Sequence, residues 1–374
     1  MRILVINWQD WTHPQSGGAE IHLREVFGRI AAAGHRVDLL CTGCSGARAE
    51  ERIDGINVIR RGRSRELFNY AVPGIYRRVL RRNDYDVLVD DLNKVPFYSP
   101  LFSDRPVVAL VHHLFGGTVF EQTNPVFGGY VWLSERAIAR VYRRSRFIAV
   151  SRSTALDLER RGVDPQRITV IPNGLPDLDL DRWLSKPKEE TPLFVVLTRL
   201  KRYKAVEVAL EAFAHVLREH PEARLIVAGD GDHRVALERR AAAGGLDGRV
   251  AFPGWLDDDA KWSLLRRAWA LLYTSPKEGW GISSLEAQRV GTIAIVSDSP
   301  GLRETVVDGE TGLVVPHGDV GALAGAMERA IDRPEERAAL EAAAVQRARR
   351  FSWDAAARQT LEVLESAAAR GSSR

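Results

Sequence analysis

The sequence predicts an α/β protein made of two doubly wound domains that face each other across a cleft. Three observations carry that expectation. Short apolar runs alternate with amphipathic stretches along the whole chain, the pattern of parallel strands covered by helices on both faces. The series halts at a polar stretch with two prolines, residues 183–192, and then restarts. A length of 374 residues suits about two domains of ordinary size.

The elements follow in order. Residues 1–7 read as a first strand, followed by a polar, glycine-containing loop. Residues 19–34 show helical spacing at Ile21, Val26 and Ile30, with Gly34 placed to end the helix. Further strands are expected at 36–41, 86–89, 107–111 and 147–150. In the second series they fall at 193–198, 224–228, 250–252, 270–273 and 293–296, with a helix over 205–219. Ser352 is placed to cap a last helix over 353–369. The expected division is 1–185, 186–352 and a final segment, 353–374, that crosses back to the first domain. Ligands in such folds bind beyond the carboxyl ends of the strands.

Composition narrows the functional classes. Apolar residues make up 45% and charged residues 27%, which excludes a disordered or collagen-like chain. No apolar run approaches the ~20 residues of a membrane span. The opening apolar run is too short for a signal peptide, and two cysteines exclude a disulfide scaffold, so a cytoplasmic protein is expected. The net charge is +4, and the excess lies in residues 1–185, where 26 Lys+Arg face 21 Asp+Glu, a net of +5. Nearly all of those cations are arginine, whose fork prefers anionic oxygens. A phosphate-rich partner or an anionic membrane surface is therefore expected.

The richest stretch runs from Ser275 to Glu286, after one expected strand and into a helix. Glu278 and Glu286 suit the vicinal hydroxyls of a sugar or ribose, since carboxylates accept paired O–H groups. Gly279 and Gly281, flanking Trp280, let the backbone approach a ligand. The helix start at Ile282, Ser283 and Ser284 directs N–H groups toward an anion. Arg199, Lys201, Arg202 and Lys204 crowd the end of the strand at 193–198, a setting for phosphate. The plain alternatives are an acidic loop and a solvated basic loop.

Ser16-Gly17-Gly18-Ala19-Glu20 opens the first helix, where amides can reach a phosphate. His112 and His113 end the strand at 107–111, so one can face the cleft while the other packs. Ile171-Pro172-Asn173-Gly174 is a turn closing the first domain, and a turn-rich loop with Gly301 follows the strand at 293–296. No metal is expected, because the histidines lack H-E-x-x-H spacing. Cys41 and Cys44 have redox-pair spacing without the usual surroundings, and Asp177, Asp179 and Asp181 read as a polar surface.

Together these residues resemble the retaining glycosyltransferases of family 4, of the GT-B type with two Rossmann-like domains. The likeness runs in order through Ser16–Glu20, His112, Ala149-Val150-Ser151, Ile171–Gly174, Arg199 with Lys204, Gly229-Asp230-Gly231, and the E-x7-E pair Glu278 and Glu286. The chain departs from the family's usual pattern at Ala205 (commonly Gly), Trp280 (commonly Phe) and Ile293 (commonly Pro). The resemblance implies a metal-independent transfer of a sugar from a nucleotide-diphosphate donor, a UDP- or GDP-sugar, to a hydroxyl acceptor, with no further cofactor. It implies catalytic roles for His112, Arg199, Lys204 and Glu278. Donor contacts are implied at Gly17, Gly18, Asn173, Gly229, Gly231, Gly279, Trp280, Gly281, Ile282, Ser283 and Glu286, and acceptor contacts at Glu20 and His113. It also implies a place in cell-envelope or polysaccharide synthesis.

The acceptor is open among lipid, polysaccharide and small molecule. Basic residues from Arg60 to Arg82, interleaved with Phe68, Tyr70, Ile75, Tyr76 and Leu80, suit peripheral contact with the inner face of an anionic membrane. Pro73-Gly74 is expected to interrupt a long helix there. A second arginine-rich helix is expected over 135–146. The alternative readings are a nucleotide-sugar epimerase or hydrolase of the same build, and a nucleic-acid binder suggested only by the pI of about 9.1. No nucleic-acid partner is expected, because no binding module accompanies the arginines.

Overall fold

The computed structural model of the chain describes residues 1–62, 67–93, 95–122 and 124–372. The chain divides into two units: Met1–Gly174 together with the segment from Ser352 onward, and Leu175–Phe351. In the first, eight strands form one sheet: β1 (Arg2–Ile6), β2 (Arg36–Cys41), β3 (Glu50–Ile53), β4 (Ile56–Arg60), β5 (Val87–Leu92), β6 (Val107–Val111), β7 (Arg146–Ala149) and β8 (Ile168–Val170). Their order is β3-β4-β2-β1-β5-β6-β7-β8, parallel except for the β3–β4 pair. Both faces are covered, so β1 buries every residue but Arg2. One face packs on the helix Gly18–Ala32 and on Trp353 and Leu364 of the last helix; the other carries Phe68, Tyr76, Tyr85, Tyr142 and Phe147. The strand order reverses beside β1, which lies between β2 and β5; in such sheets the carboxyl ends at this point are where ligands bind.

Several elements differ from the sequence expectation. The β3–β4 hairpin turns at Asp54-Gly55, both with positive φ, a type of turn that Asp-Gly announces. β5 runs past Val89 to take in Asp90 and Asp91, both buried; two adjacent carboxylates read as a strand end. Residues 135–146 are not one helix. The helix Pro125–Arg136 ends there, Ile138–Val141 adds a short turn, and Arg146 already opens β7. Pro73 lies inside the helix Phe68–Ile75, which passes directly into a wider π-helical turn over Tyr76–Leu80. Of the basic segment, Arg63, Arg65 and the neighbouring Glu66 lie outside the described residues.

The second unit has six parallel strands: β9 (Leu193–Leu197), β10 (Arg224–Ala228), β11 (Val250–Gly254), β12 (Ala270–Tyr273), β13 (Ile293–Ser297) and β14 (Gly312–Val315). Their order is β11-β10-β9-β12-β13-β14, reversing beside β9. The polar stretch 183–192 belongs to this unit. Trp183 is buried in its core, and the Lys188 ammonium donates to Ala268 O at 2.7 Å and Thr292 Oγ1 at 2.5 Å. The division between units falls earlier, at Gly174, where a Cβ would stand 2.1 Å from the Trp353 N. Trp353–Ser372 forms the last helix, with Ser352 Oγ accepting from Asp354 N at 3.2 Å. Asp354 in turn pairs with Arg29 of the helix Gly18–Ala32 at 2.6 Å.

Candidate active site

Each sheet gathers polar side chains at its carboxyl end, beside the point where the strand order reverses. In the first unit, His112 follows β6 directly, and its Nε2 lies 3.2 Å from Asp91 Oδ1 at the end of β5. Glu20, in the first turn of the helix Gly18–Ala32, accepts from Gly17 N at 2.7 Å and from Asn93 Nδ2 at 3.1 Å. The Gly17 amide is thus taken by Glu20, a capping arrangement. Two turns of chemistry meet at His22 of the same helix: its Nδ1 pairs with Asn173 Oδ1 at 2.7 Å, and its ring stands edge-on to His112 and to Trp353. His113 points elsewhere and packs its ring on Phe115. The loop after His113 is fastened by the buried Glu135, which accepts from Phe115 N at 2.6 Å and Gly116 N at 2.9 Å.

Burial sets the charge states here. Burial pushes the Glu20 carboxyl up, and Asp91 nearby adds to this. Burial and His112 press His22 down to about 3, so its Nδ1 donates as a neutral imidazole to Asn173. For His112 burial acts downward, but Asp91 and Glu20 outweigh it and raise the value. The two histidines therefore bend stability in opposite senses. His112 adds stability that is full below pH 6.5 and is lost as pH rises through its raised folded value. His22 costs stability as pH falls below 6.5, because the unfolded imidazole takes up a proton that the buried one refuses. That loss reaches roughly 5 kcal/mol by pH 3 at about 1.4 kcal/mol per pKa unit. Denaturation midpoints of His22→Gln should accordingly fall less than those of the parent between pH 6.5 and 4; equal acid sensitivity would contradict the buried neutral state.

In the second unit, Lys204 and Glu278 come from the loops after β9 and β12, adjacent strands at the reversal. The Lys204 Nζ lies 2.5 Å from Glu278 Oε1 and near the faces of Tyr203 and Tyr273. Burial opposes the ammonium, but Glu278 and the two tyrosines overcome it and keep Lys204 protonated. Thr274 Oγ1 steadies the same loop, donating to Ala205 O at 2.9 Å. Ala205 has φ +51°, the left-handed conformation that explains why glycine is common there in the family it resembles. Arg199, by contrast, is exposed. Glu286, in the helix Ile282–Arg289, is held by Lys261 Nζ at 3.0 Å. Burial works against Lys261 as a cation, but Glu286 and Asp258 raise it.

The glycines divide by role. Gly229 and Gly231 press against the segment before Lys204: a Cβ would meet Thr198 O at 1.9 Å and Leu200 O at 2.2 Å. Gly281 has φ +103° and caps the helix Ile282–Arg289, whose first residues Ile282 and Ser283 are half-buried. Gly279 lies between the half-buried Glu278 and the buried Trp280, whose ring packs edge-on to Phe351. Cys41 is buried, with burial pushing its thiol up, which suits no redox role. Among the described residues, no group of three or more His, Cys, Asp or Glu is arranged to hold a metal ion. No described helix is long and apolar enough to cross a membrane.

The sequence reading singles out Glu20 and Glu286 at helix starts and His112, Lys204 and Glu278 in segments that follow strands, but misses Asp91, His22 and Lys261. Asp91 hides in an otherwise apolar strand. Lys261 sits in a helix whose spacing carries no signal. The only available clue was general: buried carboxylates and ammonium groups need partners.

Residues 16–177 match the model of Glycosyltransferase Family 4, and residues 179–347 match that of Glycosyl transferases group 1. A phosphatidyl-myo-inositol mannosyltransferase of Mycobacterium leprae is 30% identical, over 95% of each chain. A glycogen synthase of Mycobacterium tuberculosis is 28% identical, over 97% of this chain and 94% of its own. Among solved structures, HepE of Anabaena, in complex with UDP and glucose, aligns over 98% of this chain and 100% of its own, with a TM-score of 0.77 and 19% identity.

Proposed function

The chain belongs to the group 1 glycosyltransferases of family 4, with GT-B architecture, and on that premise we propose that it moves a sugar from a nucleotide-diphosphate donor to a hydroxyl acceptor, with retention and without a metal. The observation that carries the donor reading is the meeting of Lys204, Glu278 and the Arg199 loop at the strand reversal of the second unit, with Glu286 on the helix that follows. The HepE complex with UDP and glucose supports it by analogy of fold.

As the bond from the anomeric carbon to phosphate breaks, negative charge grows on the departing diphosphate. Lys204 stabilises that charge as a cation already held in place by Glu278, so little reorganisation is needed. Arg199 adds an exposed, forked donor, and the start of the helix Ile282–Arg289 adds amide dipoles. Glu286 accepts from the ribose hydroxyls, with Lys261 fixing its carboxylate. Glu278 orients the sugar, and in the first unit His112 offers its imidazole to a substrate oxygen. The acceptor oxygen attacks from the face the diphosphate leaves, and its proton passes to the departing phosphate oxygen.

A thermal-shift screen with UDP-, GDP- and ADP-sugars tests the conclusion, and stabilisation by none of them would defeat it. Glu286→Ala weakens binding of the matching nucleoside diphosphate by on the order of tenfold or more, because a charged hydrogen bond to ribose is lost. Calorimetry reads this, and unchanged affinity would refute the ribose contact.

For the acceptor side we propose peripheral contact of the first unit with an anionic membrane. Leu67, Tyr70, Phe120, Val126, Phe127 and Leu133 are exposed, and Tyr70 and Tyr130 join their two helices through hydroxyls 2.9 Å apart. Arg77, Arg78, Arg81 and Arg82 are exposed on the turns that follow. Flotation with phosphatidylglycerol vesicles should show binding at low salt that weakens as salt rises. No binding at low salt would end this proposal.

A further inference from the structure

We infer that Asp91 is a positioning residue for His112: its carboxylate holds the imidazole by Nε2, fixing the ring's orientation and leaving Nδ1 as the nitrogen for a substrate oxygen. This rests on the reading of His112 as a group that contacts substrate.

Neighbouring residues show what is unusual about Asp91. Asp90 points to the opposite face of β5 and is an ordinary buried acid, with Oδ2 accepting from Tyr142 Oη at 2.6 Å and from Ser99 N at 3.0 Å. Asp91 is equally buried, yet neither of its oxygens has a well-directed hydrogen bond among the described residues. Its close polar partner is His112 Nε2 at 3.2 Å, an ion-pair distance off the line of a good hydrogen bond. A buried carboxylate so poorly solvated by its own fold is destabilising unless a cation faces it. Strand register places the pair. Leu92 is opposite Val111, so Asp91 and His112 lie at the carboxyl ends of adjacent strands, the end at which such sheets bind ligands.

The other groups facing His112 agree with a protonated ring. From the helix Gly18–Ala32 come Glu20, a second carboxylate, and His22, which is neutral and stands edge-on with ring centres 5.1 Å apart. Asn173 engages His22, and Trp353 packs on that ring from the last helix, both without charge. His112 thus faces two carboxylates and no competing cation among these neighbours, and they raise its proton affinity despite burial. A protonated His112 donates its Nδ1–H to a substrate oxygen. No bond to Asp91 forms or breaks; its work is to keep the proton and the orientation in place.

The test uses the full chain labelled with 15N-histidine, its imidazole signals followed through a pH titration, with His112 assigned by its loss in His112→Gln. In the parent, His112 titrates above pH 6.5. In Asp91→Asn its midpoint falls by about one pH unit or more, and Asp91→Glu restores part of the shift. With UDP-glucose or GDP-mannose as the probe, whichever the parent turns over, Asp91→Asn lowers kcat on the order of tenfold, while the donor KM changes by less than about twofold. The double variant Asp91→Asn/His112→Gln is no slower than His112→Gln alone. A folded Asp91→Asn with an unmoved His112 titration, or strictly additive rate losses, overturns the inference. Should Asp91→Asn not fold, a parent His112 midpoint at or below 6.5 overturns it equally. If His112→Gln transfers sugar at the parent rate, the reading of His112 fails instead, and the titrations still report on Asp91.

Discussion

Lys204→Ala lowers kcat for sugar transfer by on the order of 100-fold to 1000-fold, the cost of removing one preorganised donor from a developing oxyanion. Two effects stack. The departing diphosphate loses a cation that the fold has already desolvated and aimed. Glu278 also loses its counter-charge, which lay 2.5 Å away. A half-buried carboxylate without that partner turns toward solvent or repels the donor phosphates, so the donor KM rises as well. Arg199→Ala leaves Glu278 paired and should cost less. Steady-state kinetics with the donor found by the thermal-shift screen separates these cases. A Lys204→Ala enzyme with near-parent kcat would remove Lys204 from the mechanism, and a loss no greater than that of Arg199→Ala would remove the argument from burial.

Gly301→Ala destabilises the second unit by on the order of 2–4 kcal/mol and impairs transfer even where the protein stays folded. Gly301 has φ +85°, and a Cβ there would lie 2.2 Å from the Glu278 carbonyl oxygen and 2.8 Å from its carbon. Both are backbone atoms and cannot swing aside. The same segment is tied by Glu278 N donating to Pro300 O at 3.0 Å and Ser299 Oγ donating to Ser275 O at 2.8 Å. Relief requires the Glu278 loop to move, and Lys204 loses its alignment with it. Gly309 supplies the control. Its φ is +72°, but a Cβ there would meet nothing within 4 Å, so Gly309→Ala carries only the backbone cost of about 1 kcal/mol. Denaturant midpoints for the two variants give the collision term by difference. Equal midpoints would mean that the Gly301 contact is soft.

Much of this was readable in advance, for identifiable reasons. Parallel strands covered on both faces must be apolar throughout, so Leu193–Leu197 and Ile293–Ser297 stand out from the polar turns around them. Motif residues at strand ends announce themselves, His112 through the glycine pair at 116–117 and Lys204 through the run of cations around it. Pairings across the sheet were not readable. Lys204 and Glu278 are far apart in sequence, and only the adjacency of β9 and β12 brings them together. Sequence reasoning gave them separate ligands, whereas in the fold each is the other's counter-ion. Asp91 escapes the sequence because two adjacent acids read as the end of a strand, whereas β5 runs through both. Residues 183–192 read as a linker because of their prolines and charges, while Trp183 and Lys188, the residues that bind this stretch to the second unit, are the ones a composition count dilutes.

The path of the chain has a consequence for how the protein comes into being. The second unit is one uninterrupted stretch, Leu175–Phe351, whereas the first is left incomplete until residues from Ser352 onward arrive. During synthesis the later unit can therefore reach its native state before the earlier one. Until then the helix Gly18–Ala32 lacks the cover of Trp353, Leu364 and Ala367, which share its core. A growing chain halted before Ser352 exposes that apolar face and the His22 ring. The first unit waits, with His22 lacking its Trp353 neighbour, for the helix Trp353–Ser372 to be made.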